Sequence, residues 1–140
     1  MFWNQRQPVL LKVAQGYRIG LSLFMWYEII RTDTDRGPWK VRTAGYMYTV
    51  QSEAGDEVFS YHWHPQGESP VTYPHLHMGH VKLDPDGMLL QKAHLPGGRV
   101  SVESIVRLLI QDFGVIPLRE DWESVLDSGE ETFTRWRTWH

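Results

Sequence analysis

Apolar and polar positions alternate through much of the first two thirds of the chain. From Tyr17 to Ile29 every odd position is apolar: Tyr17, Ile19, Leu21, Leu23, Met25, Tyr27 and Ile29. A period of two predicts a β-strand with distinct faces. Val9 to Ala14 is a short apolar run that reads as a strand before it, with Gln15-Gly16 as the turn. Thr32 to Pro38 is polar and closes on Gly37-Pro38, a turn signal. Trp39 to Val50 is again rich in β-branched and aromatic residues, and Ala44-Gly45 within it marks a bulge or bend. Glu53-Ala54-Gly55-Asp56 reads as a hairpin loop, Glu57 to His64 as the next strand and Pro65 to Pro70 as a loop. Tyr73 to Leu83 reads as a strand bent near Gly79. Asp84-Pro85-Asp86-Gly87 has turn chemistry, and Met88 to His94 reads as one more strand.

The period then changes. Val102, Ile105, Val106, Leu109 and Phe113 follow Ser101 at helical spacing. Ser101 is placed to cap this helix, Glu103 sits in its first turn, and Gly114 ends it. Glu120 to Leu126 reads as a second helix. Ser128-Gly129 is expected to break it, and Glu130 to Trp139 reads as a third, short helix. Strands first and helices last predict a single α+β domain over 1–140, β-rich over 1–95 and helical over 101–139. The expected architecture is an antiparallel sheet with the C-terminal helices packed on one face.

Composition narrows the chemistry. The chain of 140 residues has no cysteine, which excludes disulfides and thiolate metal sites. The formal net charge of -3 gives no global basic field. The halves differ, however: residues 1–50 hold seven Lys/Arg against three acids, and residues 51–140 hold seven against fourteen. Two readings fit this split: ordinary solvated surface, or a basic sheet edge beside an acidic helical half that faces a polyanion or a basic partner. The longest apolar stretch, Ile19 to Ile30, is interrupted by Ser22 and Glu28 and is too short for a spanning helix. No membrane partner is expected, and the location expected is cytoplasmic.

The chemistry-bearing feature is a histidine constellation. Five of the seven histidines, His62, His64, His75, His77 and His80, lie between Tyr61 and His80. Residues two apart on a strand share a face, so His62-x-His64 and His75-x-His77 each present two imidazoles side by side. On the first strand Phe59, Tyr61 and Trp63 take the opposite face. If the two strands are neighbours, four imidazoles converge, with Glu68 in the connecting loop near them.

Three readings stay open. The histidines are surface or aromatic-packing residues. Alternatively, His62, His64, His75 and His77, with Glu68, hold one transition-metal ion such as zinc. His62-x-His64 followed by Glu68 resembles the first half of the cupin metal motif, whose downstream element is not recognisable here. The third reading is metal-free acid–base catalysis on an RNA phosphodiester by His62, His64, His75 and His77, without a cofactor. In that reading Tyr61, Tyr73, Lys82 and Arg42 bind substrate, and Arg31, Arg36 and Lys40 extend the cationic edge.

The run Phe59-Ser60-Tyr61-His62-Trp63-His64, then Thr72-Tyr73-Pro74-His75-Leu76-His77-Met78-Gly79, resembles the core of the TumE-like toxins of bacterial toxin–antitoxin systems. The likeness spans roughly residues 45–113 and includes the helix start at Ser101-Val102-Glu103. Family positions carrying Asp and Asn are His62 and Trp63 here, so only His75 and His77 carry over. The resemblance implies a growth-arresting toxin acting on RNA, paired with a helix-turn-helix antitoxin. The sequence-level expectation is thus a toxin-like ribonuclease, with a metal-binding or protein-interaction domain lacking turnover as the alternative. Phe133, Trp136 and the other C-terminal aromatics offer a core-packing face or a docking surface for an antitoxin or a second copy, a homo-oligomer. Leu95-Pro96-Gly97-Gly98-Arg99 lacks the Lys-Ser/Thr pair of a phosphate loop and reads as a connector.

Overall fold

In a computed structural model, residues 7–35, 37–66, 68, 70–81 and 92–136 are described. They form five strands, β1 (Val9–Lys12), β2 (Arg18–Thr34), β3 (Gly37–Ser52), β4 (Glu57–Trp63) and β5 (His75–Met78), and two helices, α1 (Val102–Gln111) and α2 (Trp122–Trp136). The strands make one sheet in sequence order, each antiparallel to the next. The fold class is therefore α+β, as the change of period predicts.

The odd-numbered apolar positions of β2 set the buried face. Ile19 and Leu21 pair with Ser52 and Val50, and Leu23 pairs with Tyr48. On β4, Phe59 and Tyr61 continue that face opposite Val50 and Tyr48. Helix α1 completes the core, because Ile105, Leu108 and Leu109 join Ile19, Leu21, Tyr48, Val50, Phe59 and Phe113 in one buried cluster. Its start is as expected: the Ser101 side chain accepts a hydrogen bond from the Ser104 amide. Its end is as expected too, since Gly114 takes φ 70° and the Val115 amide donates to the Leu109 carbonyl.

The bulge falls where the sequence places it. Trp26 pairs with Gly45 and Tyr27 with Thr43, so Ala44 is the extra residue. Other expectations need correction. The strands of the β2–β3 hairpin run further than their polar ends imply, to Thr34 and from Gly37. Cross-strand pairing runs from Arg31 opposite Trp39 to Thr34 opposite Gly37, with an irregularity between them, in an exposed ribbon. Of the strand expected over Tyr73–Leu83, residues 82 and 83 lie outside the described residues, and the described ones form only His75–Met78. After it, Gly79 turns its amide onto the Val58 carbonyl, and a Cβ there would overlap the Glu57 carbonyl oxygen. Of the strand expected over Met88–His94, residues 88–91 and the Asp84–Gly87 turn lie outside the described residues, while Ala93 and His94 pair in no strand.

The break expected at Ser128-Gly129 does not occur; α2 is continuous through it. Gly129 lies where a Cβ would stand 2.7 Å from Glu103 Oε1, so its small size serves close approach between helices. Arg107 with Asp127 (2.7 Å) and Ser104 with Glu130 (3.1 Å) tie the same faces together. No residue of α2 is fully buried, so this helix lies at the periphery of the core that α1 completes. Trp139 lies outside the described residues.

Candidate metal centre

Strand alternation builds the site. On β4, Tyr61 and Trp63 point into the core, so His62 takes the opposite face. His64 follows directly after the strand. β5 then pairs with β4 so that His75 stands opposite His62 and His77 opposite Ser60. Gly79 makes this register close, because only a residue without Cβ passes the Glu57 backbone there.

The four imidazoles converge as the two His-x-His segments predict. Ring centroids are 5.6 Å apart for His62 and His75, 4.6 Å for His62 and His77, and 6.0 Å for His62 and His64. They are 5.4 Å apart for His64 and His75 and 4.8 Å for His75 and His77. Within this group His62, His64 and His75 each offer one ring nitrogen, and the three nitrogens lie within 4.8 Å of one another. His77 is exposed and stands outside that set of three.

Two features prepare the rings. His75 Nδ1 lies 2.8 Å from the Tyr73 carbonyl oxygen. A carbonyl only accepts, so Nδ1 carries a proton, and it is Nε2 that can offer a lone pair to an ion. This is the outer hydrogen bond that orients ligating histidines. His62 Nε2, by contrast, is buried with no hydrogen-bond partner among the described residues. Burial holds the His62 pKa below the ordinary imidazole value, helped by His77, His75 and His64 and opposed by Glu57. His62 is therefore neutral near pH 7, with a donor nitrogen that nothing described in the protein uses. Leaving such a group unpaired costs about 1–3 kcal/mol.

The remaining expected site residues scatter. Tyr61 is corrected as a substrate contact: it lies in the core on the face away from the imidazoles, and its hydroxyl donates to the Pro96 carbonyl at 2.8 Å. Burial pushes its pKa up to about 12. Tyr73 remains beside the cluster, its ring 6.1 Å from that of His75, and contributes its carbonyl. Arg42 sits on β3 before Tyr46, the residue that pairs with the last residue of β4, and its guanidinium is ion-paired with Glu28. Glu68 is exposed and outside the three-nitrogen set. Lys82 and Arg36 lie outside the described residues.

Sequence reasoning missed three contributors. The Tyr73 carbonyl has no signature in the sequence. Ser60 is fully buried beneath the cluster and donates to Glu57 Oε1 at 3.1 Å. Met47 pairs with His62 from β3 and places a thioether side chain on the same sheet face. The strand alternation of β3 would have located Met47.

The connector before α1 behaves as a connector. Pro96 is held by Tyr61, the Val100 amide donates to the Tyr46 hydroxyl at 3.0 Å, and the Arg99 guanidinium lies 3.6 Å from the Trp63 ring centroid. No helix among the described residues is long and apolar enough to cross a membrane. Comparison of the chain with protein-family models, curated proteins and solved structures finds no match.

Proposed function

We propose that this chain is a metal-binding domain in which His62, His64 and His75 hold one transition-metal ion such as zinc. The observation that carries the reading is the grouping of one ring nitrogen each from His62, His64 and His75 within 4.8 Å of one another, on a His62 whose Nε2 is buried with no hydrogen-bond partner among the described residues. Three imidazole nitrogens are a donor set for zinc, copper or nickel. Tetrahedral ligation at about 2.0–2.1 Å needs nitrogens closer than that outer limit, which rotations of the half-buried His64 and His75 rings would supply. A bound ion would satisfy His62 and supply Lewis acidity at any position the protein leaves open.

Zinc titration of dialysed protein by calorimetry tests this. One equivalent is expected to bind, with at least a tenfold loss of affinity in His62→Ala, His64→Ala and His75→Ala separately. Absence of stoichiometric binding, or binding indifferent to all three changes, removes the reading.

A second proposal keeps the imidazoles and drops the metal: toxin-like cleavage of RNA, with a helix-turn-helix antitoxin as partner. The observation favouring it is the neutral, desolvated His62 ring 4.6 Å from the solvent-exposed ring of His77, a pair suited to taking and returning a proton. It is the weaker of the two. Tyr61 is turned away and Arg42 is ion-paired with Glu28, so two of the groups meant to hold phosphate are not at the cluster. RNA cleavage that persists in chelator and is lost in His62→Ala and His77→Ala would reverse the order.

A further inference from the structure

A tetrahedral ion takes four donors, so three histidines leave one position to fill. The register of the sheet shows what stands around that position. Four outward-facing residues form one row across four strands: Phe24 of β2 pairs with Met47 of β3, Met47 with His62 of β4, and His62 with His75 of β5. Directly opposed residues of an antiparallel pair share a face and hold their Cβ atoms about 4.5–5.5 Å apart. Met47 is therefore the neighbour of His62 on the side away from His75. Its side chain is unbranched with three rotatable bonds, so the sulfur can swing over an adjacent ring.

His77 is the rival for the fourth position, and the same register sets it apart. It stands opposite Ser60, two residues before His62, whereas His64 lies two residues after His62. An ion shared by His62, His64 and His75 lies at the His64 end of this group, and His77 lies at the Ser60 end. This accounts for His77 falling outside the three-nitrogen set although its ring centroid is 4.6 Å from that of His62. Beside His64, β3 has Gly45, whose place for a Cβ is 3.6 Å from the His64 Cα and which brings no donor side chain. The chain has no cysteine, and the other described methionines, Met25 and Met78, pair with Tyr46 and Phe59 on the core side of the sheet. Among the described residues Met47 is thus the one sulfur on the face of the cluster.

Charge and softness then select the ion. As ligands, imidazole and thioether are both uncharged. No carboxylate joins them among the described residues: Glu57 accepts from Ser60, and Glu68 lies outside the set. Taking a dication out of water without ligand charge costs more than taking out a monocation. A thioether is a soft donor that selects cuprous copper, whereas imidazoles alone serve zinc and nickel as well. We propose that the ion is cuprous copper and that the Met47 sulfur is its fourth ligand. The inference rests on the three-histidine reading above.

The test compares two metals on two proteins. Copper(I) held by the coloured chelator bicinchoninate is titrated without oxygen into the parent chain and into Met47→Leu. This change conserves volume and is among the best tolerated, and circular dichroism reports that the variant folds. The parent is expected to take one equivalent from the chelator. Losing an outer-shell partner of a metal site costs about 10–100-fold in affinity, so losing a ligand is expected to weaken copper(I) binding by about tenfold or more. Zinc affinity, read by calorimetry on the same two proteins, is expected to be equal within error. The copper X-ray absorption spectrum is expected to show a sulfur neighbour in the parent and none in the variant. Zinc binding through the three histidines with equal copper(I) affinity in both proteins, or a parent spectrum without sulfur, overturns the assignment of Met47 and leaves the histidine reading standing. Equal losses for both metals in Met47→Leu overturn it too, because they mark a residue that supports the histidines rather than a soft donor. A parent that takes neither metal overturns both.

Discussion

Replacing Gly79 with alanine tests how β5 is held and, through it, how His75 is delivered to the cluster. A Cβ on residue 79 would overlap the Glu57 carbonyl oxygen and stand 2.5 Å from the Glu57 carbonyl carbon and 3.0 Å from the Val58 oxygen. These are backbone atoms of β4, whose Val58 and Phe59 are fully buried, so they cannot yield as a flexible side chain would. Overpacking of this kind costs about 1–3 kcal/mol. Loss of the 2.8 Å hydrogen bond from the Gly79 amide to Val58 adds about 0.5–1.5 kcal/mol. The combined penalty is about 1.5–4.5 kcal/mol, a large part of the ~5–15 kcal/mol that stabilises a typical domain. Two outcomes are distinguishable. If β5 stays docked, the whole domain weakens and the melting temperature falls by about 10 °C. If β5 lets go of β4 instead, the melting temperature falls less, but His75 leaves the cluster and zinc affinity drops as in His75→Ala. Scanning calorimetry with and without one equivalent of zinc reads both. Gly97→Ala is the control, because a Cβ there meets nothing within 4 Å. A Gly79→Ala protein with unchanged melting temperature and unchanged zinc affinity would refute this account of β5.

The remaining predictions use the two faces of β4. The folded-state pKa of His62 is depressed, so below about pH 6.5 the unfolded chain binds the extra proton and metal-free stability falls with pH, levelling off once the folded ring also protonates. Urea midpoints at pH 8.0 and 5.5 are expected to show this drop and to lose part of it in His62→Phe; a rise on acidification would contradict the burial argument. Tyr61→Phe leaves the Pro96 carbonyl without the hydroxyl it accepts from and is expected to cost about 1–2 kcal/mol in denaturant unfolding, with zinc affinity unchanged because the ring faces the core. A Tyr61→Phe protein of full stability but impaired zinc binding would place Tyr61 at the site after all.

Much of this fold is legible in period alone, and the exceptions share a cause. The β2 alternation, the Ala44 bulge, the Ser101 cap and the Gly114 stop are local events, decided by residues close in sequence. The failures are tertiary. Ser128-Gly129 has the chemistry of a helix break, yet Gly129 lies against Glu103 of α1, where its lack of Cβ serves packing. Gly79 reads as a bend within a strand, but its closeness to Glu57 ends the strand. At the site, the pairing of two His-x-His segments was readable because a period of two fixes the face. The proton on His75 was not, because it depends on the Tyr73 carbonyl, and every residue has a carbonyl.

The same logic explains why β4 sets both the core and the cluster. Phe59, Tyr61 and Trp63 are buried on one face, and a one-residue slip of β4 would exchange them with Ser60, His62 and His64. Bulky aromatic side chains would then have to take the places of the fully buried Ser60 and the part-buried His62 and His64 while imidazoles entered the core, and overpacking of this kind alone costs about 1–3 kcal/mol. That penalty pins the register of β4 and holds His62 on the outer face opposite His75. A rigid core strand thus positions the buried donor nitrogen of His62. The partner imidazoles lie on β5 and after the end of β4, on segments more exposed than the strand that places it. If the proposed ion binds, this arrangement would keep one ligand fixed and let two adjust, the freedom needed for nitrogens within 4.8 Å of one another to close around it.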